Sequence, residues 1–126
     1  MTYKPDGHSS VSPYLTCDGA ARTIEFLVRV FDAVELMRIP SDRGGVMHAE
    51  VRIDDTVVML SDGAPGFPPT PSNVHVYVPD VDATYRRALA AGGTSVQEPV
   101  KKGDPDKRCG VSDPGGNTWW IATQME

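Results

Sequence analysis

The sequence predicts an α+β fold in which one βαβββ module is written twice. Three observations lead there. Two stretches carry apolar residues at helical spacing, and the two sets lie 61 positions apart: Ala20, Ile24, Leu27, Val28 and Phe31, then Val81, Tyr85, Ala88, Leu89 and Gly92. Asp113-Pro114-Gly115-Gly116-Asn117 is a dense turn signal leading into Thr118-Trp119-Trp120-Ile121-Ala122-Thr123, an aromatic and β-branched strand with one tryptophan on each face. Val51 to Leu60 repeats that hairpin shape around a shorter turn, Asp54-Asp55.

Taken in order, residues 1–10 are polar and read as a loose arm. Val11, Pro13, Leu15 and Cys17 alternate with Ser12, Tyr14 and Thr16, the pattern of a half-buried strand, and Pro13 places it at an edge or a strand start. Asp18 is a candidate N-cap for the first helix. Strands near 34–40, 46–53 and 56–61, with turns at Gly44-Gly45 and Asp54-Asp55, complete module one over 11–61. Residues 62–72 are rich in proline and glycine and read as a stiff linker. Module two covers 73–123. It opens with Val74, Val76 and Val78 on one strand face, continues into a helix capped by Asp80 and ended by Gly92-Gly93, and closes with strands near 95–100, 107–112 and 118–123.

A chain of 126 residues suits a single domain over 1–126 with a real core, and 40% hydrophobic with 23% charged residues is ordinary for a globular protein. The net charge is -5 and the basic residues are scattered, which argues against nucleic acid or an anionic membrane as partner. No apolar run approaches the roughly 20 residues of a spanning helix. The N-terminus lacks the apolar core of a secretory signal, so a cytoplasmic protein with Cys17 and Cys109 reduced is expected.

Four segments carry a family likeness: Pro13-Tyr14-Leu15 before Asp18-Gly19-Ala20-Ala21, His48 to Asp55, Val76 to Ala83, and Asp113 to Thr123. Together with the doubled module they resemble the vicinal oxygen chelate superfamily of glyoxalase I, bleomycin-resistance proteins and extradiol dioxygenases, and within it the glyoxalase-like phosphonate-locus subgroup. The resemblance covers residues 11 to 123. It implies a curved mixed sheet around a cavity, with helices on one sheet face and the cavity on the other.

Strand parity then assigns side chains. Val11, Leu15, Val57, Met59, Val74, Val76, Trp119 and Ile121 should face the helices, as should Met47, Ala49, Val51 and Ile53. Ser12, Tyr14, His48, Glu50, Arg52, Val58, Asn73, His75, Tyr77, Thr118 and Trp120 should face the cavity. Metal-dependent members of the superfamily hold a divalent ion with one His, Glu or Gln on each of the first, fourth, fifth and eighth strands. Carried over by motif spacing, those positions are Ser12, Val58, Asn73 and Trp120, none a good ligand.

The function the resemblance implies is binding of a small molecule, without a metal or other cofactor, through Tyr14, His48, Glu50, Asn73, His75, Tyr77 and Trp120, with Phe67 extending the aromatic wall. The alternative is a metal-dependent lyase, isomerase or dioxygenase with a relocated site of His48, Glu50 and His75. His75 is also the candidate catalytic base, since an imidazole of ordinary pKa about 6.5 suits proton transfer near neutrality. Whether the protein is an enzyme stays open. A homodimer is implied, with Phe26 and Val30 as candidate contacts and the cavity completed across chains as in many relatives. Lys101 to Arg108 reads as a charged hairpin loop, and its basic residues beside Cys109 would lower that thiol's pKa.

Overall fold

Each half of the chain closes its own four-stranded sheet. The protein is described here over residues 2–126 in a computed structural model. Module one runs β1 (Tyr14–Cys17), α1 (Ala20–Phe31), β2 (Val34–Pro40), β3 (Val46–Ile53) and β4 (Thr56–Asp62). Module two runs β5 (Asn73–Tyr77), α2 (Val81–Ala90), β6 (Thr94–Lys101), β7 (Asp106–Ser112) and β8 (Thr118–Gln124). The strand orders match, β1-β4-β3-β2 and β5-β8-β7-β6, with β1 parallel to β4 and β5 parallel to β8. The class is α+β with a doubled βαβββ order, and each mixed sheet is hydrogen-bonded within its own module.

The core lies on the helix side of both sheets. Leu15, Ala49, Val51, Val58 and Leu60 join Ile24 and Leu27 of α1, and the same cluster continues into Val81, Cys109, Val111, Trp119 and Ile121 of module two. The helices touch each other as well as their sheets. Arg87 of α2 donates to the Val30 carbonyl at 3.1 Å, Arg29 of α1 donates to the Ala90 carbonyl at 3.3 Å, and Phe31 lies 5.5 Å from Trp119.

That packing corrects several expectations. Phe26 and Val30 are fully covered at the junction of α1 with module two, so they are no dimer contacts in this fold. Val28 is exposed instead. On β4 the faces are reversed: Val58 pairs with Val51 and points into the core, while Val57 and Met59 pair with Arg52 and Glu50 on the other face. An unbroken run, Val57-Val58-Met59-Leu60, carries no alternation to choose between the two parities. Val11 is exposed and precedes the strand, and Met47 is exposed where pairing with β2 is irregular. Asp18 does not cap α1. Gly19 holds the cap position at φ 87°, and the Ala20 amide donates to Asp62 at 2.7 Å. The second Asp62 oxygen accepts from the Val46 amide at 2.7 Å, so one carboxylate ties α1 to both β3 and β4 and places its charge at the helix N-terminus. Asp80 does cap α2, accepting from the Ala83 amide at 3.1 Å.

The turn Asp113–Asn117 joins the modules. The Asp113 side chain is buried and accepts from the Gly115 amide at 2.7 Å, the Asn117 amide at 3.2 Å and the Trp119 indole at 2.7 Å. Thr23 of α1 reaches the same carboxylate at 3.5 Å. Asn117 accepts from the Ser72 amide at 3.2 Å and donates to the Cys17 sulfur at 3.6 Å. A side chain at Gly115 would collide with the Thr23 hydroxyl. Replacing Asp113 with Ala would therefore leave an indole and two amides without their acceptor, at a cost of about 3 kcal/mol. Thermal unfolding of Asp113→Ala should fall by roughly 10 °C; a change of a degree or two would contradict this role. Gly115→Ala should also unfold at a lower temperature than the native chain.

Candidate functional site

The sheet faces turned away from the helices carry the polar and aromatic side chains. Pairing sets them in matching rows. On the first sheet Tyr14 pairs with Met59, Met59 with Glu50, and Glu50 with Met37. On the second, His75 pairs with Trp120, Trp120 with Gly110, and Gly110 with Gln97. Tyr14 and His75 thus occupy one equivalent place, and Met59 and Trp120 another.

The first face is organised around Glu50, which is only 8% exposed. His48, two residues away on the same strand face, donates to one carboxylate oxygen at 2.8 Å. The other ring nitrogen of His48 is hydrogen-bonded with the Tyr14 hydroxyl at 3.3 Å. The second Glu50 oxygen is held by His8 at 2.6 Å. The arm thus folds back onto the sheet, an arrangement the sequence pattern does not disclose, because the bond spans 42 positions. His8 is held above its ordinary 6.5, chiefly by the bond to Glu50. Glu50 is held below its ordinary 4.5, chiefly by His48 and then by His8.

The second face is organised around Arg108 and Trp120. Arg108 stands on β7, within the strand expected near 107–112 rather than in the charged loop, with Asp104 and Asp106 accepting from its two terminal nitrogens at 3.0 and 2.9 Å. Its Nε donates to His75 Nε2 at 3.1 Å, which places the His75 ring proton on Nδ1. Burial, and then the charge of Arg108, hold His75 below 6.5. His75 is therefore a neutral ring whose lone pair is already engaged, and its free nitrogen is a donor rather than a base. Tyr77 donates to Asp106 at 2.7 Å and stands edge-on to His75 at 4.9 Å. Trp120 lies over Gly110, where an added Cβ would come within 2.6 Å of the indole, and donates to Asn73 at 3.0 Å.

The seven predicted site residues fall into two groups. Tyr14, His48 and Glu50 meet on the first sheet; Asn73, His75, Tyr77 and Trp120 meet on the second. Among the described residues, members of the two groups line separate clefts. Tyr14 and Phe67 line a groove of about 700 Å³ with Met47 and Arg43, whereas His75 and Tyr77 line a cleft of about 320 Å³ beside the Asp54–Asp55 turn. Among the described residues no three His, Cys, Asp or Glu side chains are arranged to hold a metal ion, and His48 and Glu50 lie on a different sheet from His75.

The four positions where superfamily members ligate a metal do not fit a divalent cation. Ser12 bonds to Ser9, Val58 is in the core, the Asn73 oxygen accepts from Trp120, and an indole has no lone pair in the ring plane to give. Met59, not Val58, is the true counterpart of Trp120, and its thioether is no ligand for a hard cation either. Cys109 is not activated by its basic neighbours: it points into the core, and burial pushes its thiol up to about 11. Among the described residues no helix is long and apolar enough to cross a membrane.

The doubled module and these opposed faces define a known class. The chain belongs to the glyoxalase/bleomycin resistance protein/dioxygenase superfamily, whose family model matches residues 9–121. An uncharacterized protein of Mycobacterium bovis is 40% identical over 121 residues, covering 87% of this chain and 80% of that protein. TioX from Micromonospora sp. ML1 is 30% identical with a TM-score of 0.77, covering 92% of this chain and 98% of TioX. TnmS3, an antibiotic binding protein from Streptomyces sp. CB03234, shares the fold at a TM-score of 0.69 and 22% identity, covering 93% of this chain and 99% of TnmS3.

The raised pKa of His8 and the lowered pKa of Glu50 set the pH range of their bond. The His8 contribution is complete below pH 6.5 and fades as pH rises through its raised value; the Glu50 contribution is complete above pH 4.5 and fades as pH falls through its lowered value. An NMR titration should show His8 titrating above 6.5 in the native chain and returning to about 6.5 in Glu50→Gln. A native His8 titrating at or below its ordinary value would contradict the bond.

Proposed function

We propose that this protein binds a small planar molecule on its open sheet faces, without a divalent metal, as a binding member of its superfamily. The observation that carries this is the Trp120 platform. Its indole covers Gly110 and is oriented by Asn73, so an aromatic ring stands where superfamily enzymes place a metal-ligating side chain. His75 beside it offers an Nδ1–H donor, and Tyr77 offers an exposed ring. Stacking on an aromatic platform with one or two directional donors is the ordinary chemistry of a small-molecule site.

A homodimer is part of the same proposal. Each open face is one wall of a site, with Tyr14 51% exposed and Tyr77 63% exposed. A second copy that sets its first sheet opposite this chain's second sheet would close both walls over one ligand and bury these aromatics in pairs. TnmS3, which binds an antibiotic, is a precedent for the fold in that role.

Native mass spectrometry of the protein as expressed tests both points. The expected spectrum shows a dimer carrying a small molecule that is absent from Trp120→Ala. In Gly110→Val, which forces the indole off its seat, occupancy should fall about tenfold, equivalent to ~1.4 kcal/mol. A bare monomer, or a bound molecule retained unchanged in both variants, would overturn the proposal.

A further inference from the structure

The N-terminal arm is hydrogen-bonded mainly within itself. Thr2 bonds to the Lys4 carbonyl, Lys4 to Ser10, and the His8 amide to the Pro5 carbonyl, all within the arm. Among the described residues, the one side-chain hydrogen bond from residues 2–8 to the sheets is His8 to Glu50, at 2.6 Å. Glu50 itself is anchored independently, because His48 on the same strand holds its other oxygen at 2.8 Å. The carboxylate therefore stays in place whether or not His8 is there. Tyr14, half exposed, stands beside this pair with its ring 5.8 Å from that of His48.

We propose that Glu50 is the recognition point for a ligand's positively charged nitrogen, and that His8 is a displaceable occupant of the same place, a strap over the first sheet that the ligand replaces. This names the ligand class of the binding function proposed above and rests on it: a small aromatic molecule carrying a protonated amine or a similar cationic group. A nearly buried carboxylate on an open face has a strong need for a cationic donor, and an imidazole from an arm whose described residues make no other side-chain bond to the sheets meets it without closing the site permanently. The ligand nitrogen takes the oxygen now held by His8, its ring lies against Tyr14, and the arm is released. The exchange is economical, since a charge-assisted bond to the same oxygen is broken and remade and only the arm's ordering is lost. The strap also discriminates: a neutral donor competes with His8 at Glu50 only weakly, and an anion is repelled.

Benzylammonium, an aromatic cation at neutral pH, is the probe. It should bind the native full-length chain saturably by NMR, shifting the His48 and Glu50 signals and bringing the amides of residues 2–10 to the line widths and exchange rates of a free arm. His8→Gln should bind it several-fold more tightly, because the strap no longer competes, and Glu50→Gln should bind at least tenfold more weakly. Benzyl alcohol, of the same shape without the charge, should leave the arm in place. Equal affinity in the native chain and His8→Gln would overturn the strap. Binding unaffected by Glu50→Gln, or no binding by any of the three chains, would overturn the assignment to a cation. Retention of a neutral or anionic molecule in native mass spectrometry, with Trp120 required, would refute this inference while leaving the small-molecule proposal standing.

Discussion

The buried carboxylate of Asp113 is the constraint on which the rest of the molecule depends. It sits in the turn before β8 and collects the indole of Trp119, two turn amides and the α1 hydroxyl of Thr23. A charge in an apolar core is tolerated only when donors surround it, so this cluster forms completely or is costly. Forming it fixes three things together: the turn, the rotamer of Trp119 in the core, and the position of α1 against module two. The same residues bring Gly115 so close to Thr23 that a side chain there has no room. The modules are thus locked through their helix sides, and both opposite sheet faces remain free to act.

The two free faces have diverged from one plan. Where the first sheet places Tyr14, Met59 and Glu50, the second places His75, Trp120 and Gly110. Loss of a side chain at 110 makes room for the indole, and the carboxylate of the first row has no counterpart in the second. One face therefore presents a charge acceptor between imidazoles, and the other presents an aromatic floor with a neutral imidazole donor. Such a pair is suited to opposite ends of one ligand when two copies of the chain are apposed.

Much of this was legible in the sequence, for physical reasons that can be named. Strands 34–40 and 46–53 stand where pattern and turns placed them, and the Asp80 cap and Gly92-Gly93 stop are local signals that the fold respects. Parity put Asn73, His75 and Tyr77 on the open face because they alternate cleanly with Val74 and Val76. Parity failed at Val57-Val58-Met59, where every residue is apolar. Distant partners escaped the sequence altogether. Asp62 displaced Asp18 as the group serving the start of α1, and α1 is apolar on two sides because it packs on both its own sheet and module two, which hid Phe26 and Val30. His8 was read as part of a polar arm, since nothing local marks a bond to a residue 42 positions away. Arg108 fell both in the charged loop read over 101–108 and in the strand read near 107–112; the strand reading holds, and its alternation with Cys109 turns it away from the core.

We propose that the positions holding the superfamily's metal ion are taken here by side chains that do not ligate one, among them an indole and the amide that orients it, with the Glu50 carboxylate beside them on the other sheet. Metal analysis of the purified, untagged protein, after growth in medium replete with zinc, manganese, nickel and iron, tests this most directly. The account predicts substoichiometric metal that His75→Ala and Glu50→Gln leave unchanged. One equivalent of a single divalent metal per chain, lost in either variant, would contradict it.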